Sequence, residues 1–182
     1  MMFWTIMMIM FIQSNALIMK PPIVKTFRYV GSTPPITNFD PLNILKNKSE
    51  NRIKFTREAE LQHGRSAMMA TLAIPVLELM DKDNSMLGIN YLSSLDFYHQ
   101  TPFWLGVASY EAIRMGRGWK NPFSTNTTFM LMENYQPGNL GNYDMSKISD
   151  DLLNKELNNG RLAMISFMGI LAQELVVGHS IL

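Results

Sequence analysis

The sequence contains no cysteine, and only three of its 182 residues are histidines. Without cysteine the chain cannot build a disulfide scaffold, a cysteine-ligated zinc site or a thiol nucleophile. Charge is also scarce, because 17% of the residues are charged and the formal net charge is +1, too little for a dedicated nucleic-acid-binding protein. In contrast, 47% of the residues are hydrophobic. The composition therefore predicts one apolar domain whose partners do not include nucleic acid.

A nine-residue motif occurs twice in the chain. Residues 60–68 read Glu-Leu-Gln-His-Gly-Arg-Ser-Ala-Met, and residues 156–164 read Glu-Leu-Asn-Asn-Gly-Arg-Leu-Ala-Met, with six of the nine positions identical. The second copy lies 96 residues after the first. Each copy opens a long apolar run, over 67–80 and 162–177. The repeat therefore predicts two related hydrophobic helices that each begin with the same charged motif.

The spacing of the motif separates two kinds of side chain on the helix surface. Glu60 and His63 lie about 60° apart on one side, whereas Arg65 lies about 140° from Glu60. A lone charge in hydrocarbon costs several kcal/mol, so two such helices must cross in a way that pairs their charges. We therefore expect the reciprocal ion pairs Glu60–Arg161 and Glu156–Arg65.

The small residues of the motif fit the same crossing. Gly64 and Gly160 have no side chain and allow two helix backbones to approach closely. Ala67 and Ala163 extend this small surface by one turn.

The motifs ExxHxR and ExxNxR on paired helices resemble those of the light-harvesting chlorophyll-binding antenna superfamily, and the resemblance covers about residues 39–178. It implies an all-α membrane protein with three transmembrane helices, of which the first and third cross as a pseudo-twofold pair locked by the Glu–Arg pairs. It also implies that single side chains ligate chlorophyll magnesium, a hard cation suited to carboxylate, amide and imidazole donors. The implied ligands are Glu60, His63, Glu111, Glu156, Asn159 and Gln173. No other metal is expected.

Three helices are predicted, over residues 57–80, 102–119 and 149–177. Within the second, Glu111 and Arg114 reproduce the acid and arginine of the middle antenna helix, although a local ion pair is the alternative explanation of this spacing. Phe103 stands where the chlorophyll a/b antennae have a glutamine. The chain therefore resembles more closely the red-lineage branch, the chlorophyll a/c or fucoxanthin-chlorophyll proteins, and chlorophyll a with chlorophyll c as a second pigment is expected.

A further likeness precedes each copy of the repeat. Phe39-Asp40-Pro41 followed by leucine resembles the antenna element that contacts a carotenoid, so these three residues are the candidate contact for a xanthophyll or similar pigment. The sequence Pro-Gly-Asn-Leu-Gly at 137–141 matches half of a second copy, but the proline that would follow is missing from Tyr143-Asp144-Met145.

The N-terminal residues have the composition of a targeting sequence. Residues 1–12 are apolar and uncharged, too short to span a bilayer, and Ser-Asn-Ala at 14–16 offers a cleavage pattern, which predicts a signal peptide over 1–16. Residues 17–38 contain basic but no acidic residues, as in a transit-like or flexible segment. The two together predict import into a plastid, with residues 39–182 forming the antenna domain. An unprocessed tail is the alternative.

These features predict a scaffold without catalytic residues, not an enzyme. We expect it to bind chlorophylls and carotenoids in the thylakoid membrane and to pass excitation energy to a photosystem I or II core, beside other antenna subunits and lipids. A photoprotective quencher with the same pigments is the first alternative. A di-iron carboxylate protein is a distant one, because the second motif has Asn159 where a His is required. A soluble helix pair with solvated charges also remains open.

Overall fold

The computed structural model describes residues 30–32, 40–42, 48–80, 87–120, 130–140, 144 and 147–178. Within these ranges most of the chain is helical, as the predicted all-α class requires. The helices are α1 (Glu50–Met80), a 3₁₀ turn (Gly88–Asn90), α2 (Tyr91–Ser94), α3 (Phe97–Gly118) and α4 (Asp150–Val177). The predicted signal peptide (1–16) and Phe39 lie outside the described residues, as does most of the transit-like segment (17–38).

The chain divides into two compact units. The first, called the loop unit, comprises residues 1–59 and 105–150, and the second, called the crossing unit, comprises residues 60–104 and 151–182. Helices α1 and α3 each contribute residues to both units. Each unit holds a separate group of the candidate site residues.

Helix α1 begins at Glu50, seven residues before the predicted start. The carbonyl of Ser49 accepts hydrogen bonds from the backbone N–H groups of Arg52 and Ile53, at 3.0 and 3.2 Å. Glu50 also places a negative charge in the first turn, where the helix dipole favours it. The prediction began at residue 57 because it followed the apolar pattern, and the polar first turns of α1 do not share that pattern.

Helix α3 also begins earlier than predicted, at Phe97 and not at residue 102. The backbone carbonyl of Asp96 accepts from the N–H groups of His99 and Gln100, each at 3.1 Å, and the Asp96 carboxylate accepts from the His99 N–H at 3.3 Å. A hydrogen bond from the His99 side chain lowers the pKa of Asp96 below its usual value. The prediction was wrong because it took Pro102 for the first helical residue, whereas Asp96 caps the helix.

In the loop unit, residues 130–140 fold back on the end of α3. Lys120 N donates to the carbonyl of Met130 at 2.8 Å, and Met132 N donates to that of Gly118 at 2.9 Å. The Tyr135 ring packs on Gly118, where an added Cβ would lie 2.9 Å from it. Leu131 and Tyr135 are almost fully buried and form the apolar centre of this unit.

In the crossing unit, α1 and α4 pack against each other through small and apolar residues. Its buried apolar residues are Ala67, Ile74, Leu157 and Ala163. The outer surfaces are also apolar, and the large exposed apolar side chains described on these two helices are Met69, Leu72, Val76, Leu79, Met80, Leu152, Leu162, Ile165, Met168, Leu175, Val176 and Val177. The crossing unit is therefore apolar outside as well as inside, which a water-soluble protein rarely tolerates over so large a surface.

Candidate functional site

The two copies of the repeat meet in the crossing unit. Arg161 Nε donates to Glu60 Oε1 at 2.8 Å. In the same way Arg65 donates to Glu156 Oε1, from Nε at 2.8 Å and from Nη2 at 2.7 Å. The four residues therefore form the two reciprocal pairs that the sequence analysis expects, and all four side chains are partly buried.

The closest backbone approach lies between the same two motifs. A Cβ added to Gly64 would lie 2.9 Å from the Cα of Gly160, and one added to Gly160 would lie 3.1 Å from the Cα of Gly64. Backbone atoms cannot move aside as a flexible side chain can. Any residue larger than glycine at either position would therefore push the helices apart.

The other candidate ligands of this unit lie on its outer surface. His63 is exposed on α1, and Asn159 and Gln173 are exposed on α4. Exposed apolar residues lie one turn along α4 from two of them, Leu162 from Asn159 and Val176 from Gln173. The arrangement offers single nitrogen or oxygen donors to a large apolar ligand that lies against the helix surface.

In the loop unit, Glu111 and Arg114 form an ion pair within α3. Arg114 Nε and Nη2 both donate to Glu111 Oε2, at 3.0 and 2.6 Å. The Arg114 guanidinium also lies 5.8 Å from the centre of the Trp119 ring, within the range of a cation–π contact. The spacing of Glu111 and Arg114 thus produces the local ion pair that the sequence analysis left as an alternative, and a ligand role for Glu111 is compatible with it.

Sequence reasoning missed the second carboxylate of this cluster. Glu58 is only 3% exposed and accepts from Arg114 Nη1 at 3.4 Å, from the Tyr135 hydroxyl at 3.2 Å and from the Gly138 backbone N–H at 2.8 Å. Its position in the repeat is taken by Asn154 in the second copy. The repeat therefore gives no sign of Glu58, and only its partners reveal it.

Two more buried glutamates were also missed, although the repeat contains a signal for them. Glu78 and Glu174 are 96 residues apart, the same offset as the two motifs, and they are 2% and 0% exposed. Glu174 Oε2 accepts from the Ile89 backbone N–H at 3.1 Å. Glu78 contacts the same 3₁₀ turn, since a Cβ on Gly88 would lie 3.3 Å from its Cγ. Extension of the repeat beyond its nine residues would have found both.

The candidate carotenoid contact is described only in part. Asp40 is half-buried and Pro41 is exposed. In the later segment, Asn139 N donates to the Gln136 carbonyl at 3.1 Å, and Gly138 has a φ of 85°. A proline followed by a glycine with positive φ is typical of a type II turn, so the Pro-Gly pair shapes this loop.

The described residues contain no group of three or more His, Asp or Glu side chains able to hold a metal ion together. A di-iron centre of the ferritin type needs such a group from four helices. The donors in the described ranges are instead spread singly along the helices. This suits ligands that bring most of their own coordination sphere.

The repeated motif and the helix crossing define a helical protein built on two related helices, and the family comparison identifies its class. The chain belongs to the chlorophyll A-B binding protein family, whose sequence pattern matches residues 27–175. This confirms the resemblance inferred from the repeat.

Three relatives illustrate the range of the family. The fucoxanthin-chlorophyll a-c binding protein of Isochrysis galbana is 35% identical over 168 residues, which cover 82% of this chain and 77% of the relative. The light-harvesting complex stress-related protein 1 of Chlamydomonas reinhardtii is 35% identical over 80% of this chain and 64% of its own length. The chlorophyll a-b binding protein 4 of Arabidopsis thaliana is 30% identical over 81% of this chain and 63% of its own length. The chain thus spans less than two thirds of the last two relatives, and the likeness to the fucoxanthin-chlorophyll branch is confirmed.

Proposed function

We propose that this chain binds chlorophylls and carotenoids in the thylakoid membrane of a plastid and passes their excitation energy to a photosystem. The observation that carries the proposal is the distribution of polarity in the crossing unit. Two ion pairs between α1 and α4 are partly buried and two glutamates are buried beside the 3₁₀ turn, while large apolar side chains and single donor residues lie on the outer surface. Such a surface suits lipid and pigment as neighbours.

The proposal includes three membrane spans, formed by α1, α3 and α4. Among the described helices, α4 has both the length and the apolar composition to cross a membrane, with a mean hydropathy of 1.4 in its most apolar stretch. Helix α3, with 22 residues, is about 33 Å long, which matches the hydrocarbon thickness. Helix α1 is longer still. The paired Glu and Arg side chains would then lock α1 and α4 at their crossing without leaving a charge in hydrocarbon.

Six side chains are proposed to ligate chlorophyll magnesium. They are Glu60, His63, Glu111, Glu156, Asn159 and Gln173. Each presents a carboxylate, amide or imidazole donor, the ligand types that suit magnesium held by a macrocycle. A bound chlorophyll absorbs the light, whereas the side chains fix its distance and orientation. By analogy with the fucoxanthin-chlorophyll relatives, the pigments would be chlorophyll a, chlorophyll c and a xanthophyll, the last held near Phe39, Asp40 and Pro41.

The N-terminal assignments and the partners are part of the same proposal. A signal peptide at 1–16 and a transit-like segment at 17–38 would deliver the antenna domain at 39–182 to the plastid, and the relatives are themselves named chloroplastic. The expected partners are a photosystem I or II core, other antenna subunits and thylakoid lipids.

A second candidate function is photoprotective quenching with the same pigments. It is favoured by the 35% identity to a stress-related light-harvesting protein, as high as that to the fucoxanthin-chlorophyll protein. The two functions differ in the fate of the excited state. A harvesting protein keeps a long chlorophyll fluorescence lifetime in detergent, whereas a quencher shortens it under the conditions that activate it.

Reconstitution tests the proposed function. The recombinant chain is refolded with chlorophyll a, chlorophyll c and a xanthophyll, and the complex is isolated by density-gradient centrifugation. We expect a coloured complex of fixed stoichiometry in which carotenoid excitation produces chlorophyll emission. Pigment that stays in the detergent fraction, with no energy transfer, would refute the proposal.

A further inference from the structure

Glu58 is a buried carboxylate of the loop unit that accepts three hydrogen bonds. Its Oε2 accepts from the Tyr135 hydroxyl at 3.2 Å and from the Gly138 N–H at 2.8 Å, while Oε1 accepts from Arg114 Nη1 at 3.4 Å. The side chain is 4% exposed. A carboxylate with three donors and almost no solvent contact has one position available, so Glu58 is a fixed point of the unit.

Arg114 is shared between this fixed carboxylate and Glu111. Nη1 is directed to Glu58, whereas Nε and Nη2 both donate to Glu111 Oε2. The guanidinium side chain is 14% exposed, and Trp119 lies against it at 5.8 Å. Because a guanidinium is rigid and planar, contact with Glu58 on one edge decides how its other edge faces Glu111.

This sharing has a geometric consequence for Glu111. An arginine with one carboxylate partner prefers a fork in which two N–H groups bind the two oxygens separately. Here both bonds reach a single oxygen, Oε2. Arg114 therefore fixes the Glu111 carboxylate through one of its two oxygens.

The sharing also has an electrostatic consequence. Glu58, Arg114 and Glu111 together carry two negative charges and one positive charge, so the arginine cannot neutralise both carboxylates. Arg114 therefore screens the charge of Glu111 less completely than it would if Glu111 were its single partner. A carboxylate is a suitable donor to a hard cation such as magnesium.

We propose that Glu58 is a positioning residue for the pigment on Glu111, because it holds Arg114, which in turn fixes the Glu111 carboxylate that would meet the magnesium. The inference rests on the proposed function, in which Glu111 ligates a chlorophyll. Tyr135 and Gly138 extend the same support, because they hold Glu58 and belong to the loop that folds back on α3. Removal of such supporting partners typically weakens a ligated metal about 10-fold to 100-fold.

The test uses the reconstituted full chain and one reference variant. Glu111→Leu removes the ligand, and the difference between its absorption spectrum and that of the wild type identifies the band of the pigment on Glu111. Glu58→Gln keeps the shape of the side chain and its acceptor oxygen but removes the charge that holds Arg114. In Glu58→Gln we expect the band to reach its wild-type intensity only at about 10-fold higher pigment concentration, or to appear at a shifted wavelength.

One control variant separates positioning from general stability. Glu78→Gln alters a glutamate that is 2% exposed in the crossing unit. It should lower the melting temperature of the complex without a selective loss of the Glu111 band.

Several outcomes would overturn the inference. Full occupancy of the band at an unshifted wavelength in Glu58→Gln, with only a lower melting temperature, makes Glu58 a structural residue. If Glu58→Gln gives no complex, Glu58→Asp is used instead, because it keeps the charge on a shorter side chain. An unchanged Glu111 band in Glu58→Asp refutes the positioning role, and a weakened or shifted band supports it. An intact band in Glu111→Leu refutes the ligand role of Glu111, and a wild type without pigment refutes the proposed function itself.

Discussion

Replacement of Arg161 by leucine removes one partner from a reciprocal ion pair and leaves the carboxylate of Glu60 at the helix crossing without its cation. Arg161 Nε lies 2.8 Å from Glu60 Oε1, and the two side chains are 40% and 26% exposed. Leucine keeps an apolar side chain at the position. The variant therefore isolates the cost of the stranded charge from that of a cavity.

The magnitude follows from the distance and the exposure. At 2.8 Å two unit charges attract by about 6 kcal/mol at an effective dielectric constant of about 20, and by about 1.5 kcal/mol in bulk water. Breaking a fully buried pair typically costs about 3–5 kcal/mol. Because this pair is partly exposed, we expect Arg161→Leu to lower the free energy of unfolding by about 2–4 kcal/mol.

A double-mutant cycle measures the pair itself. Glu60→Gln combined with Arg161→Leu leaves no charge unpaired, so it should recover about half of the loss, and the amide still offers an oxygen to magnesium. Denaturant unfolding of the reconstituted complex is followed by circular dichroism and by energy transfer to chlorophyll. A matched control lies on the same helix: Lys155 pairs with Asp151 at 2.7 Å, but these side chains are 66% and 69% exposed. Lys155→Leu should cost no more than about 0.5 kcal/mol.

Three results would contradict this reasoning. The first is equal destabilisation in the single and double variants, because it means that no coupling exists between Glu60 and Arg161. The second is a loss from Lys155→Leu as large as that from Arg161→Leu, because burial would then not matter. The third is strong coupling of Glu60 to Arg65, which lies on the same helix and bonds to Glu156 instead.

Further predictions concern the ligands, the helix contact and folding. His63→Leu should lose about one chlorophyll per chain on reconstitution, because an apolar side chain offers magnesium no donor. The control His99→Leu should keep the full pigment count. If His63→Leu retains every pigment, His63 is not a ligand. Gly64→Ala should destabilise the complex by about 1–3 kcal/mol in denaturant unfolding, since its methyl group would meet the facing backbone. The control Gly169→Ala should be neutral or stabilising, because an added Cβ at Gly169 would have nothing within 4 Å. If Gly64→Ala and Gly169→Ala destabilise the complex equally, the backbone contact is not the cause of the destabilisation. The apoprotein in detergent should show low helicity and rapid proteolysis, because unligated polar groups are costly in hydrocarbon. Added pigment should raise the helicity and slow the proteolysis. Full helicity without pigment would favour a plain helical bundle.

Several features follow from local pattern or from the repeat. The predicted third helix, 149–177, differs from α4 by a single residue, because its long apolar pattern and polar beginning coincide with the helix itself. The pairing of Glu60 with Arg161 and the contact of Gly64 with Gly160 follow from two copies of one motif. Two related helices that pack on each other must make the same contact twice, so the repeat predicts which residues meet.

The tertiary structure decided what neither periodicity nor repetition encodes. The starts of α1 and α3 depend on Ser49 and Asp96, whose capping bonds lie outside the apolar pattern that predicted the helices. Glu58 has no counterpart in the second copy, and its partners Arg114, Tyr135 and Gly138 lie 56, 77 and 80 residues away along the chain. A sequence pattern reports which face of an element a residue occupies, or which residues are equivalent. The meeting of non-equivalent residues far apart depends on the path of the intervening chain, and only the folded structure fixes that path.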